Sequence, residues 1–164
     1  MVRHLSRRTF VGAVIASGGA FALPRRARAA LALRWASVMT PTHPQAVMME
    51  RVAKQVNEQT GGALEVQTFP GGQLGGSRDI VEAASSGAIQ LVDEGAAQFG
   101  QFVPQFSILE GPYLWRDQAH MRRALTSPLM EEFNKLLIEK RGMRVIGATY
   151  YGKRHLTTDR KSVV

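Results

Sequence analysis

Two charged side chains that follow apolar runs of this 164-residue chain have the chemistry to bind a ligand. Glu94 comes just after the apolar run 88–92, and Arg154 comes a few residues after the run 143–149. A carboxylate in the position of Glu94 either faces solvent or accepts hydrogen bonds from a bound molecule. An arginine holds a carboxylate through two parallel N–H···O bonds, and the alternative for Arg154 is a surface position.

A glycine-rich stretch, GGQLGG at residues 71–76, lies between a predicted strand and a predicted helix. It lacks the Lys-Ser/Thr ending of a Walker loop and the G-x-G-x-x-G spacing of a dinucleotide fingerprint, which argues against a nucleotide site. Two interpretations stay open. The glycines serve a tight turn that needs positive φ, or the N–H groups at the helix start face an anionic ligand.

Catalytic and metal-binding patterns find little support in the sequence. His43, His120 and His155 are far apart, and neither an i, i+4 histidine pair nor an H-E-x-x-H motif occurs. We find no G-x-S-x-G motif and no convincing Ser-His-Asp set, and the chain has no cysteine for a thiolate site. The sequence therefore predicts no catalytic chemistry, no metal and no cofactor.

The net charge of +8 is concentrated near the N-terminus. Residues 1–29 contain six arginines and no acidic residue, so the remaining 15 basic and 13 acidic residues nearly balance. A nucleic-acid-binding surface needs its positive charge on the folded domain. The charge therefore belongs to a leader, and no nucleic-acid partner is predicted.

Residues 1–29 have the three parts of an export signal. A basic stretch at residues 1–8 precedes an apolar run at residues 11–23, which is too short to span a bilayer, and an A-R-A sequence ends at Ala29. SRRTFV at residues 6–11 resembles the twin-arginine export motif. We expect a signal peptide that the twin-arginine export machinery recognises, cleavage near Ala29, and a mature protein in the periplasm.

The rest of the chain alternates short extended runs with helical runs. The pattern predicts strands at residues 33–38, 64–69, 88–92, 106–109 and 143–149. Predicted helices lie between them: one from Pro44 to Gly61, one with Ser77 as N-cap to about Ser86, one capped by Asp117 to about Leu125, and one from Pro128 to Gly142. This alternation predicts an α/β fold with a mainly parallel sheet flanked by helices. Ligands of such sheets bind at the carboxyl ends of the strands.

Three motifs resemble one family of transport proteins. LEVQTFPGGQLGG at residues 64–76 resembles the family's strand, F/Y-P and Q-L-G-G stretch, and GPYLWRD at residues 111–117 resembles L-P-F/Y-L-F-R-D. GKRHLTT at residues 152–158 is similar to G-x-R-x-x-T-T/N. The chain thus resembles, over nearly all of residues 33–164, the DctP-type solute-binding proteins of TRAP transporters, which are ATP-independent tripartite importers.

The resemblance implies a two-lobed clamshell that captures a small organic carboxylate and delivers it to the membrane permease subunits. Residues 30–150 would form the N-terminal α/β lobe and residues 151–164 the start of the crossover, with the second lobe largely missing. Arg154 resembles the arginine that helps hold the ligand carboxylate, and Glu94 resembles an acidic residue of the pocket. Gln73 and His43 would lie on loops that face the cleft.

Alternative functions stay open at this point. A binding protein of an ABC-type importer shares the clamshell design, and an interaction domain on the same lobe could have lost ligand binding. A periplasmic enzyme on an α/β scaffold is a third alternative, but it needs a convergent nucleophile and base that the sequence does not show.

Overall fold

The computed structural model describes residues 30–150 and Gly152. Its strands are β1 (Leu31–Ser37), β2 (Leu64–Phe69) and β3 (Leu91–Asp93). Its helices are α1 (Pro44–Gln59), α2 (Ser77–Ser85), α3 (Ala96–Phe99), a 3₁₀ helix (Pro104–Glu110), α4 (Gln118–Leu125) and α5 (Pro128–Arg141). No helix in the described ranges is both long and apolar enough to cross a membrane.

The three strands form one parallel sheet in the order β2-β1-β3. Leu31 is opposite Leu64 at the start of the β1–β2 pair, and Ser37 is opposite Asp93 at the end of the β1–β3 pair. Because all strands run in one direction, their carboxyl ends meet at one edge of the sheet. The predicted fold class, a parallel sheet flanked by helices, is confirmed.

Local signals fix the helix boundaries. Pro44 occupies the first turn of α1, where its missing N–H costs nothing. Asp117 caps α4 by accepting a hydrogen bond from the His120 N–H at 2.6 Å, as predicted. Gly142 ends α5 in the left-handed conformation with φ 64°, also as predicted. For α2 the prediction is one residue late, because the N-cap is Gly76 and Ser77 is the first helical residue.

The core has two buried clusters that α2 connects. The smaller joins Ala36 of β1 to Ile80 of α2 and to Ile89. The larger begins at Val81 of α2 and extends into the 3₁₀ helix and α5; its buried members are Val81, Phe102, Val103, Phe106, Leu109, Met130, Phe133 and Leu137. Adjacent residues of one helix thus pack into different clusters, which ties the sheet to the helices that follow it.

The predicted strand at residues 106–109 is wrong. These residues belong to the 3₁₀ helix, in which Phe106 and Leu109 are buried while Ser107 and Ile108 are exposed. A spacing of three residues matches the period of a 3₁₀ helix, whereas a strand would bury alternate residues. The cluster around Phe133 therefore selects the helical conformation.

The predicted strand at residues 143–149 is also absent from the described structure. The side chain of Asn134 instead forms hydrogen bonds with both backbone groups of Val145: the Val145 N–H donates to Oδ1 at 2.8 Å, and Nδ2 donates to the Val145 carbonyl at 3.3 Å. A strand needs a neighbouring backbone for these groups, and here a side chain of α5 replaces it.

The predicted strand at residues 88–92 forms only in part, as β3. Ile89 and Gln90 lie outside it, because the Ile89 N–H donates to the Ala83 carbonyl of α2 and the Gln90 side chain accepts from the Arg34 N–H. The other two predicted strands lie close to the observed β1 and β2. The first strand starts two residues earlier and ends one residue earlier than predicted, and the second has the predicted bounds.

Candidate functional site

The loops that follow β1 and β2, with the end of β3 and the loop after it, form the candidate site, which we call the strand-end face and define as residues 38–43, 70–76 and 93–95. Backbone hydrogen bonds join the loop after β2 to the end of β1 and the loop that follows it: the Gly71 N–H donates to the Met39 carbonyl at 2.7 Å, and the Gly72 N–H donates to the Ser37 carbonyl at 3.0 Å. Gly71 and Gly72 have φ values of 69° and 71°. Positive φ is a glycine conformation, so the turn interpretation of the glycine-rich stretch is confirmed.

His43 is the N-cap of α1 and lies half-buried on this face. Its Nδ1 accepts a hydrogen bond from the Gln45 N–H at 3.2 Å. An imidazole nitrogen thus supplies the acceptor that Ser or Asp usually provides at a helix start. Gln73, by contrast, is exposed at the tip of the glycine-rich turn, which the Gly75 N–H closes by donating to the Gly72 carbonyl at 3.0 Å.

Glu94 lies half-buried at the carboxyl end of β3. Its Oε2 accepts a hydrogen bond from the Gly95 N–H at 3.3 Å, and its Oε1 is buried. Burial raises the pKa of Glu94, as do the nearby carboxylates of Asp93 and Glu110. Hydrogen bonds from the Ser77 side chain and from the Gly95 N–H lower the pKa and offset part of this rise. Burial and the neighbouring negative charges therefore both favour the protonated form of the Glu94 carboxyl group.

Two further carboxylates accompany Glu94. Burial raises the pKa of Asp93, and the charge of His43 partly offsets this effect. Glu110, at the end of the 3₁₀ helix, accepts a hydrogen bond from the Ala97 N–H at 3.1 Å through Oε1. A Cβ at Gly95 would come within the contact distance of this carboxylate, so the loop after Glu94 has no room for a side chain there.

A cavity of about 340 Å³ borders the same edge of the molecule. The residues that line it are His43, Pro44, Gln45, Met48, Thr149 and Tyr150. The Gln45 side chain donates from Nε2 to the Thr149 hydroxyl at 3.1 Å, and its Oε1 is buried without a partner among the described residues. The end of the segment after α5 thus lies against the start of α1.

The structure brings three of the predicted site residues to one edge and leaves the fourth untested. His43, Gln73 and Glu94 all belong to the strand-end face. Arg154 lies outside the described residues, and its place at this edge stays a prediction. The predicted signal peptide at residues 1–29 also lies outside them.

Sequence reasoning missed Asp93, Glu110 and Gln45. Asp93 has a visible signal, since it precedes Glu94 at the end of an apolar run. Glu110 has none, because the 3₁₀ helix that carries it toward Glu94 was predicted as a strand. No group of three or more His, Asp or Glu side chains in the described part of the chain has the arrangement to hold a metal ion.

A larger groove of about 470 Å³ runs along α1 and β2. Half of the residues that line it are exposed and charged: Glu50, Lys54, Glu58 and Glu65. It contains no residue of the strand-end face, so we do not assign ligand binding to it.

A parallel sheet whose strand-end loops surround half-buried polar groups is the architecture of a ligand-binding α/β domain. The sequence profile of the bacterial extracellular solute-binding proteins, family 7, matches residues 35–164. The chain therefore belongs to this family.

Relatives and solved structures agree with the family assignment. A solute-binding protein of Verminephrobacter eiseniae is 34% identical over 119 residues, which is 73% of this chain and 35% of the relative. The 2,3-diketo-L-gulonate-binding periplasmic protein YiaO of Escherichia coli is 27% identical over 135 residues, which is 82% of this chain and 41% of the relative.

Among solved structures, a TRAP periplasmic solute-binding protein of Xanthobacter autotrophicus with bound β-D-galacturonate is 26% identical, with a TM-score of 0.60 over 66% of this chain and 36% of that one. A protein of the same description from Desulfovibrio salexigens, in complex with diglycerolphosphate, is 28% identical, with a TM-score of 0.64 over 68% of this chain and 36% of that one. The chain thus spans between about a third and two fifths of the length of these proteins.

Proposed function

We propose that the chain is the N-terminal part of the periplasmic solute-binding component of a TRAP transporter, and that it captures a small organic carboxylate. The family match over residues 35–164 carries this proposal. The strand-end face supports it, because His43, Gln73 and Glu94 lie at the edge where ligands of parallel sheets bind. On this proposal the protein performs no bond chemistry.

Arg154 is the proposed carboxylate-holding residue of this part of the protein. The chain passes Thr149 and Tyr150 at the cavity beside α1 shortly before it reaches Arg154. A guanidinium near that cavity would approach the strand-end face from the side of His43. Two parallel hydrogen bonds to the ligand carboxylate would then fix the ligand's orientation.

Export and delivery belong to the same proposal. The basic start, the short apolar run and the A-R-A sequence of residues 1–29 favour export by the twin-arginine machinery, with cleavage near Ala29. The ligand-loaded protein would then deliver its ligand to the TRAP permease subunits in the membrane.

An arginine-to-lysine exchange tests the ligand-binding part of the proposal. In the full-length protein, Arg154→Lys keeps the positive charge but loses the bidentate geometry, so carboxylate affinity should fall by about tenfold or more. Titration calorimetry with a panel of organic acids measures the effect. Arg51→Lys, at an exposed position of α1, is the matched control.

Two results would count against the proposal. Equal affinities of Arg154→Lys and the parent protein would remove Arg154 from the site. Failure of the parent protein to bind any organic acid of the panel would contradict carboxylate capture as a whole.

A further inference from the structure

The groove along α1 and β2 carries an excess of negative charge. Three exposed glutamates line it, Glu50 and Glu58 on α1 and Glu65 on β2. Lys54 is the one basic residue among the described residues that line the groove, and its Nζ lies 3.8 Å from a carboxylate oxygen of Glu58. Three carboxylates against one ammonium group leave the groove negative, so it fits a positively charged occupant.

The N-terminal segment joins the folded domain beside this groove. The Leu31 N–H donates to the Ala63 carbonyl at 2.9 Å, and Leu31 is opposite Leu64 at the start of β2. Glu65 is the next residue of β2, which places it roughly 10 Å from the backbone of residue 30. The strand-end face is at the other end of β1, a strand of seven residues and roughly 20 Å. The groove is therefore the acidic surface that the preceding residues meet first.

The end of the N-terminal segment has the charge and the length to fill the groove. Arg25, Arg26 and Arg28 lie two to five residues before residue 30, and residues 1–29 contain no acidic residue. An extended chain covers about 3.4 Å per residue, so all three arginines can reach the groove. In such a chain Arg25 and Arg28 are about 10 Å apart, which is close to the rise of about 12 Å between Glu50 and Glu58 along α1.

From the charge of the groove and from the point at which the N-terminal segment joins the domain, we infer that Arg25, Arg26 and Arg28 dock in this groove in the uncleaved precursor. Exposed ion pairs are individually weak. The short connection to β1, however, holds the arginines at an effective concentration in the millimolar range, at which weak pairs suffice.

Docking of this kind depends on the folded domain, because α1 forms one wall of the groove and β2 the other. It would also cover the A-R-A sequence that ends at Ala29, where we expect cleavage. The groove would thus couple folding of the domain to the accessibility of its own cleavage site. The inference rests on the proposed export by the twin-arginine machinery and adds a regulatory contact to it.

Limited proteolysis of the full-length precursor, made by cell-free synthesis without cleavage, tests the docking. Trypsin cuts after arginine, so mass spectrometry can compare the cuts after Arg25, Arg26 and Arg28 with those after Arg7 and Arg8 of the same segment. We expect the three docked arginines to be cut about three- to tenfold more slowly than in a precursor whose groove has lost its charge. About 0.5 M salt should remove most of this protection, because it screens exposed charges.

The precursor with a neutralised groove carries Glu58→Gln and Glu65→Gln, which remove two carboxylates and keep the side-chain volumes. Its cuts after the three arginines should become faster, while those after Arg7 and Arg8 stay the same. The matched control carries Glu82→Gln and Glu139→Gln, at exposed positions of α2 and α5. It loses the same charge and should keep the protection. Thermal unfolding of both variants checks that they fold.

Equal cutting in the parent precursor and in the variant with the neutralised groove would overturn the inference, as would an equally large change in the control. Neither result would affect the export proposal, which cell fractionation tests separately. A precursor with Arg7→Lys and Arg8→Lys should stay in the cytoplasm. If it reached the periplasm as readily as the parent, the twin-arginine proposal would fail, and the proteolysis would still decide whether the arginines dock.

Discussion

In the sheet region, residues 31–93, backbone hydrogen bonds join the loops that carry candidate site residues. The Gly71 N–H donates to the Met39 carbonyl in the loop after β1, and the Gly72 N–H donates to the carbonyl of Ser37, the last residue of β1. In the helical region, residues 94–150, side chains form the corresponding hydrogen bonds. Asn134 accepts from the Val145 N–H, and Glu110 accepts from the Ala97 N–H at the start of α3. The first arrangement depends on backbone conformation, whereas the second depends on individual side chains. A site at the meeting point of both regions is therefore sensitive to two different kinds of substitution.

Phe106→Ala should have the largest effect on the helical region. Phe106 is 1% exposed, and its ring lies 5.9 Å from that of Phe99 and 5.3 Å from that of Phe133. Removing a buried aromatic ring leaves a cavity and lowers the free energy of unfolding by about 3–5 kcal/mol. Urea unfolding measures this loss.

Ile108 of the same 3₁₀ helix provides the control, since it is 62% exposed. Ile108→Ala should change the free energy of unfolding by about 0.5 kcal/mol or less. Equal losses in the two variants would mean that the aromatic cluster does not support the helical region.

Asn134→Ala should have an intermediate effect, confined at first to the segment after α5. It removes both hydrogen bonds to Val145 and leaves these backbone groups without their partner, at a cost of about 1–3 kcal/mol. Hydrogen exchange at the Val145 amide should become faster. Asn134→Asp keeps the oxygen that accepts from this amide, so it should preserve more of the protection than Ala does. If all three proteins exchanged equally fast, the side chain would not hold the segment.

Gly71→Ala should have the smallest of the three effects and should act on the sheet region. With φ 69° at this position, a Cβ costs about 1–2 kcal/mol, although the nearest atom, in Pro41, is at an ordinary contact distance of 3.5 Å. Gly147→Ala is the matched control, because its Cβ meets nothing within 4 Å. Chemical unfolding of both variants gives the comparison. An unchanged free energy of unfolding in Gly71→Ala would show that the turn tolerates another backbone conformation.

The two regions also differ in how far their structure follows from the sequence. In the sheet region the local signals are strong: β2 has the predicted bounds, and Pro44 marks the start of α1. In the helical region the capped helices α4 and α5 are predictable, because Asp117 and Gly142 act through neighbouring residues. The segments between and after them depend on distant partners. Residues 106–109 become helical by packing on Phe133, and Val145 binds Asn134 instead of a strand.

The residues of the candidate site also differ in how far the sequence predicts them. Glu94 is predictable because a carboxylate after an apolar run marks the end of a buried strand, and β3 ends beside it. The approach of Glu110 is not predictable, because it requires the 3₁₀ helix to place a residue 16 positions further along the chain near Glu94. Tertiary packing thus adds the charge of Glu110 to that of Asp93, which the sequence already places beside Glu94.

The cap of α1 also determines the tautomer of an imidazole. His43 Nδ1 accepts from the Gln45 N–H, so in the neutral ring the hydrogen must be on Nε2. The opposite side of the ring is then a donor, within electrostatic reach of the Asp93 carboxylate. One imidazole thus completes the start of α1 with one nitrogen and keeps the other for the strand-end face.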